Sequence, residues 1–474
     1  MSTQLQTRAR SLTPGLVPSV ARSVWPVVAI VVVAVVLQLF VKPWVGGVDG
    51  GDFYNKLAVD ILVNVMLAVS LTMVNGFTGQ FSIGHAAFMA VGAYTAAGIM
   101  YYASFRLYGS PDVHGGRLST MLTGMEGPLA TGADLLFFGA LLAGGLVAAL
   151  FGYLVGLPSL RLRGDYLAIV TLGFGEIVRV LIQSQTRDVL YDVDEIKAAP
   201  VVGLAQLFTA EKSIGEVGWA AWWEQMQGPL WTKLGGALGF SGLPFYTSYF
   251  WVTLMCGITL LVAIRMKYSS AGRALLSIRE DEIAAEAMGV DTTKYKIRAF
   301  VISAFFAGIA GGLFAHTVGV QLNAGELGFV KSFDVIIMVV LGGLGSISGG
   351  AIAAAILTVL PEALRDFELS VMQALLGVAG LVAAVGAIRA GWGLARGRGV
   401  SAGAKRLLMI GVGACIAVFV ASLIAPAFFG TRFNLGEYRM ILYALALILM
   451  MIARPKGLLG VREIWELGRG VKRG

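Results

Sequence analysis

Apolar runs alternate with short polar connections along almost the whole chain. Runs of spanning length lie near 24–41, 57–74, 81–104, 134–157, 166–183, 245–264, 296–316, 332–360, 371–388, 407–429 and 438–453. About twenty apolar residues suffice for a helix to cross a bilayer, so the pattern predicts an all-α integral membrane protein with about 10–12 transmembrane helices. Two of the runs are interrupted by glycine. The stretch 332–360 carries LGGLGSISGGA at its middle, and 57–104 is split by VNGFTGQFSIGHAAF. Both read as Gly-rich interrupted or re-entrant segments. Non-helical backbone at that depth is tolerated only where protein or a water-filled cavity covers it, and transporters place their pathways at paired interruptions of this kind. The alternative is that glycine and small residues here only let helices pack closely.

One stretch breaks the apolar pattern most sharply. From Arg265 to Arg298 inclusive the chain carries seven Lys/Arg residues and the helix-forming core IAAEAMG, with an apolar run on each side. A charged segment between spans sits in water. The excess of Lys and Arg in cytoplasmic loops puts it, the N-terminus, and Arg161 with Arg163 inside. The long polar stretches 105–133 and 184–244 then fall outside. The basic loop 389–406 and the tail from Arg454 also fall inside, provided 332–360 enters from outside and returns outside. The resulting organisation is a cytoplasmic tail over 1–23 and an N-terminal transmembrane half over 24–264, with the external stretch 184–244. A cytoplasmic loop follows over 265–298, then a transmembrane core over 299–366, a two-span segment over 367–430, and a last span with a cytoplasmic tail over 431–474. The basic residues before Val24 resemble an export signal, but KPWVGG offers no A-x-A-like cleavage site, so an uncleaved first span is expected.

Composition agrees with this class. Hydrophobic residues make up 57% of the chain and charged residues 14%, against about 25% charged in soluble domains. The net charge of +8 comes from basic residues in a few loops and the ends, without the aromatic interleaving of a nucleic-acid groove. Cys256 and Cys415 lie far apart within apolar runs, so buried thiols are expected. His85, His114 and His316 form no Cys/His cluster, so no metal site is expected. No GxxxxGK[ST] or H-E-x-x-H occurs, so no ATP site, cofactor or catalytic constellation is expected in this chain.

Local chemistry supplies the candidates. In the charged segment, Ser277 or a neighbour can cap a short helix, Gly289 can end it in the left-handed conformation, and Asp291 or Thr292 can cap the next. Such a helix suits a partner's groove, or lies as an amphipathic loop on the headgroups. At the interruptions, the pathway candidates are Gln80, Ser82, Gly84 and His85, with Gly342, Gly343, Ser346 and Ser348. His85 is either a functional intramembrane group or a neutral ring bonded to the freed carbonyls of a broken helix. Glu176 and Arg179 are spaced for an ion pair on one helix face. Trp219, Trp222, Trp223 and Trp231 suggest an interfacial belt or a docking surface.

Five stretches in order carry a family pattern: GFTGQFSIGHAAFMAVGAYTAA at 76–97, RLRGDYLAIVTLGFGEIVRVL at 161–181, REDEIAAEAMGVDTTKYKIRAFVISAFFAGIAGGLFAH at 279–316, VVLGGLGSISGG at 339–350 and RPKGLLG at 454–460. Together they resemble branched-chain amino acid ABC transporter permeases of the LivM type. The chain departs from that family in having DVLYDVDEIKAAPVVGL where a TGGxNGI-like stretch is usual, and in carrying 367–430 where a short connection is usual. The resemblance implies a bacterial inner-membrane subunit with both termini cytoplasmic and a cytoplasmic coupling helix. It implies that Glu280, Asp281, Glu282, Ala284, Ala285, Glu286 and Gly289 meet an ATPase subunit. The implied partners are a second, LivH-type permease, two ABC ATPases that bind ATP and Mg, an external solute-binding protein, and membrane lipid, with no nucleic acid. The implied cargo is a branched-chain or related small amino acid. A urea or short-chain amide permease shares these motifs. A self-sufficient ion-coupled secondary transporter is a rival of another class, and the sparse intramembrane carboxylates (Asp60, Glu176, Asp334) speak against its proton-driven form.

Overall fold

The computed structural model describes residues 16–47, 51–108, 132–159, 166–184, 233–243, 245–317, 321–363, 368–370, 432–434, 457–460 and 463–467, with single residues at 189, 444, 445 and 448. The chain divides into two compact units, 1–358 with 450–474, and 359–449. Cys415, His114, Arg161, Arg163, Asp165 and the four tryptophans of the 184–244 stretch lie outside the described residues, as do the runs at 371–388 and 407–429.

The first unit is helical. It runs through α1 (Leu16–Val36), α2 (Gly51–Leu71), α3 (His85–Tyr108), α4 (Gly132–Ser159), α5 (Tyr166–Gln183), α6 (Tyr249–Tyr268), α7 (Ser270–Glu280), α8 (Glu282–Ala287), α9 (Thr292–Ala315), α10 (Phe329–Gly342), α11 (Ile347–Ala363, ending in the second unit) and α12 (Ile464–Leu467). Short π turns at Leu37–Val41 and Thr72–Gly76 extend α1 and α2. Among the described residues, six helices are long and apolar enough to cross a bilayer. Shorter apolar helices lie at Trp25–Val41 and Ile347–Glu362. The most apolar stretch of α3 is 78% buried and that of α5 only 22%. The uncovered side chains of α4 and α5 include Leu146, Leu150, Ile169 and Ile177. Apolar side chains facing outward along a spanning helix fit lipid as their solvent. This is an all-α multi-pass membrane protein.

Helices α3, α4 and α9 form the centre, and glycine sets their spacing. A Cβ on Gly144 would lie 2.7 Å from the Gly92 carbonyl, and one on Gly308 would lie 2.8 Å from the Gly144 carbonyl. Lipid supplies little hydrophobic drive between helices, so this close backbone approach and the contacts it brings hold them together. Cys256, on α6, is a buried free thiol. The Glu176–Arg179 pair forms on α5 at 2.7 Å.

Two expected spans are divided. The run at 81–104 becomes helical only at His85, and 332–360 is two helices parted at Gly343–Ser346. In the second unit, the strands β1 (Glu368–Ser370) and β2 (Arg432–Asn434) pair antiparallel, with Glu368 opposite Asn434 and Ser370 opposite Arg432. This ladder is the only sheet among the described residues.

Candidate functional site: the paired helix breaks

The first break starts where α2 widens into its π turn, a distortion common at functional sites. Residues 77–84 then leave the helix, and side chains replace the lost helical partners. The Ser82 N–H donates to Asn75 Oδ1 (3.1 Å), Gln80 N–H to Thr78 Oγ1 (3.3 Å), and Ile83 N–H to Thr171 Oγ1 on α5 (3.1 Å). Gly84 is required by contact, since a Cβ there would overlap the Thr171 carbonyl. His85 opens α3 and is buried. Its Nε2 lies 2.8 Å from Ser70 Oγ, so its partner is a hydroxyl on α2 and not a freed carbonyl. Three buried polar atoms in this break have no partner among the described residues: Asn75 Nδ2, Gln80 Oε1 and Ser82 Oγ.

The second break is satisfied from an unexpected place. A helix end leaves carbonyls and N–H groups that need partners, the more so away from water. At the end of α10, the Leu341 carbonyl accepts from Leu458 N–H (2.8 Å) and the Gly342 carbonyl from Leu459 N–H (3.3 Å). At the start of α11, Glu463 accepts from the N–H groups of Ile347 (3.0 Å) and Ser348 (2.9 Å) and from the Ser348 hydroxyl (2.5 Å), while Ser346 Oγ accepts from Gly349 N–H (3.0 Å). The RPKGLLG motif and the residues just after it therefore cap both sides of the break. Gly343, at φ 112°, takes a conformation that favours glycine, and a Cβ there would overlap Gly460.

The two breaks meet. A Cβ on Gly76 would lie 2.8 Å from the backbone nitrogen of Gly345. Two basic side chains from the charged segment reach this junction. Arg279, at the end of α7, donates to the Gly76 carbonyl (2.8 Å) and towards the Leu344 carbonyl (3.4 Å). Lys267, in the last turn of α6, donates to the Gly345 carbonyl (2.8 Å) and to Glu463 (2.5 Å). Burial alone would raise the pKa of Glu463. The hydrogen bonds from Lys267, Ser348 and Ile347 outweigh burial and hold it below the ordinary carboxylate value.

The charged segment is a chain of capped helices. Ser269 caps α7, accepting from Gly272 N–H (3.0 Å), Asp281 caps α8 through Ala284 N–H (3.0 Å), and Asp291 caps α9 through Lys294 N–H (3.1 Å). Ser277 is not a cap. It lies inside α7 and donates back to the Ala274 carbonyl, because the chain turns eight residues earlier. Gly289, at φ 82°, ends α8, with Val290 N–H to Ala285 O and Gly289 N–H to Glu286 O closing a Schellman motif. Of the residues expected at a partner, Glu280, Ala284 and Gly289 face out, and Ala285 is buried against its own chain. Glu282 pairs with the buried Lys296 (2.5 Å), and Glu286 accepts from Thr292 (2.7 Å), which fixes α8 to the start of α9. The uncovered apolar side chains here are Ile283, 66% exposed, and Met288, 84% exposed.

Four contributors were not among the expected site residues: Lys267, Arg279, Glu463 and Lys331. Lys331 lies one position ahead of the apolar window. It donates to Asn64 on α2 (3.0 Å), which donates in turn to Thr358 on α11 (2.9 Å).

Residues 53–385 match the family model described as branched-chain amino acid transport system / permease component. The high-affinity branched-chain amino acid transport system permease protein LivM of Salmonella typhimurium is 34% identical over 370 residues, covering 75% of this chain and 72% of that protein. The LivM protein of Escherichia coli strain K12 matches with the same identity and coverage. The LivH permease protein of Salmonella typhimurium is 26% identical over 306 residues, 64% of this chain and 82% of that protein. No solved structure matches the chain. The family match runs unbroken across both helix breaks and the charged segment between them, and this chain belongs to the branched-chain amino acid transport system permease family.

Proposed function

We propose that this chain is a transmembrane permease subunit of an ABC importer for branched-chain or related small amino acids. The observation that carries the reading is the junction of the two helix breaks at the foot of the charged segment, joined by Arg279. A family member built this way joins a gap in its spans directly to a segment suited to a partner. The LivM and LivH names of the relatives supply the cargo and the second permease. Segment 265–298 faces the cytoplasm with both termini, in a bacterial inner membrane. There α8 docks on an ABC ATPase subunit, which binds ATP and Mg, and an external binding protein delivers the solute. The solute passes between two permease subunits. Asn75 Nδ2, Gln80 Oε1 and Ser82 Oγ, without partners among the described residues, offer polar contacts on the way, and Phe81, 41% exposed, and Leu344, 38% exposed, offer apolar ones. ATP-driven movement of α8 rocks the subunits between inward- and outward-facing states.

The test is uptake of labelled leucine, isoleucine and valine by the reconstituted complex. Uptake that needs ATP and the external binding protein is expected. Uptake by this chain without ATPase subunits, abolished by an uncoupler, would point to an ion-driven transporter. Uptake of urea in place of amino acids would keep the complex and change the cargo.

A further inference from the structure

The tail beyond the last apolar run has no part in the transport reading above, yet it completes the second break. Leu458 and Leu459 cover the carbonyl end of α10, and Glu463 covers the N–H end of α11. Five donors converge on the Glu463 carboxylate: Lys267 Nζ, the Ile347 and Ser348 N–H groups, and the Ser346 and Ser348 hydroxyls. The carboxylate is fully buried and the Lys267 side chain is 8% exposed. A buried ion pair persists where its remaining hydrogen-bonding capacity is filled, as it is here. Lys267 also bonds the Gly345 carbonyl, and it stands three residues before α7 begins. Arg279 fastens the other end of α7 to Gly76 and Leu344, two residues before Asp281 caps α8. Both ends of α7 are thus held at the junction of the breaks, one of them through the tail.

We propose that tail residues 457–460 and Glu463 form a positioning clamp, whose Glu463 locks the second break to the base of the charged segment through Lys267. Both breaks then follow α7 and α8 as one body. Without the clamp, the facing ends of α10 and α11 lose their partners, and displacement of α8 reaches the second break only through the single contacts of Arg279 and Lys267 to the Leu344 and Gly345 carbonyls. The role rests on the transport reading.

The test uses the whole complex in proteoliposomes, with solute uptake and ATP hydrolysis measured in the same vesicles. Glu463→Gln is expected to lower the solute moved per ATP by about tenfold, within the range of ordinary coupling energies. Lys267→Met is expected to do the same, and the double variant to be no worse than either single one, because both act through one link. Glu463→Asp recovers part of the ratio. A Glu463→Gln complex in which uptake and hydrolysis fall together, with the ratio unchanged, overturns the clamp and leaves a structural tail. Should Glu463→Gln not assemble, Ser348→Ala decides, since it removes one donor and leaves the Lys267 pair. A lowered ratio supports the clamp and an unchanged ratio overturns it. Should the wild-type complex take up no amino acid, the transport reading fails, and hydrogen exchange across 341–349 judges the clamp alone. Faster exchange in Glu463→Gln, or in Ser348→Ala where that variant does not assemble, supports it, and unchanged exchange overturns it.

Discussion

The buried imidazole of His85 sits 2.8 Å from the Ser70 hydroxyl, which also reaches the Leu67 carbonyl at 2.9 Å, so one hydroxyl bridges the ring and the backbone of α2. Ser70→Ala leaves His85 Nε2 buried without that partner, at a cost of about 1–3 kcal/mol. A clear fall in the melting midpoint in detergent is expected, and an unchanged midpoint would show that the ring has found another partner. Gly84 makes the same structural point. Its Cβ would overlap the Thr171 carbonyl, whereas a Cβ on Gly139 of α4 meets nothing within 4 Å. Gly84→Ala is expected to cost roughly 1–3 kcal/mol through overpacking. Gly139→Ala is expected to stabilise by up to about 1 kcal/mol through helix propensity. Equal midpoints for the two variants would sink the contact argument. His85 and Gly84 thus hold the break open in one geometry, and Asn75 Nδ2, Gln80 Oε1 and Ser82 Oγ are its chemically available atoms.

At the scale of one element, α8 is a six-residue helix whose ends and underside are fully engaged. Asp281 closes its start, the Gly289 turn closes its end, and Lys296 and Thr292 hold Glu282 and Glu286. The exposed Ile283 and Met288 remain for a partner. Ile283→Asp with Met288→Asp alters surface positions, where each substitution shifts stability by about 0.5 kcal/mol or less, so the melting midpoint of the chain alone should hold. Recovery of ATPase subunits with the chain should fall at least about tenfold, the scale of an interface hot spot. Undiminished recovery would put the docking surface elsewhere. The caps at Asp291 and Gly289 were legible in the sequence because a cap is a local event, settled within three or four residues. Ser277 misled because its chemistry suits a cap equally well, and only the point where the chain leaves α6 selects Ser269. Ala285 shows the same limit, since composition marks a small residue but not the side of the helix that faces inward.

Among the described residues, the spans up to α11 and the Gly-rich breaks were readable from hydropathy, because lipid imposes one rule on every residue it touches. The closure of the second break was not. Glu463 lies more than a hundred positions from Ser348, and one acidic residue in a polar tail carries no signal of burial. RPKGLLG was visible as a motif without a role, because its contacts are backbone bonds to α10 that side-chain identities do not reveal. The segment 367–430 was expected to depart from the family pattern, although the family match runs to residue 385, and the strands at its ends test its independence. Ser370 and Arg432 are directly opposed across the β1–β2 ladder, so residues 371–431 connect the two strands of an antiparallel pair. Two residues suffice to turn an antiparallel pair, and Asn-Gly suits the turn best. Replacing 371–431 by Asn-Gly should therefore leave the ladder closed. The two apolar runs leave together, so the parity of the last span is unchanged and Glu463 stays on the side of Lys267. The shortened chain is expected to insert, to assemble with its partners and to support ATP-dependent uptake like the full chain. Loss of assembly, with the shortened chain still inserted in the membrane, would show instead that the insertion forms part of a subunit contact.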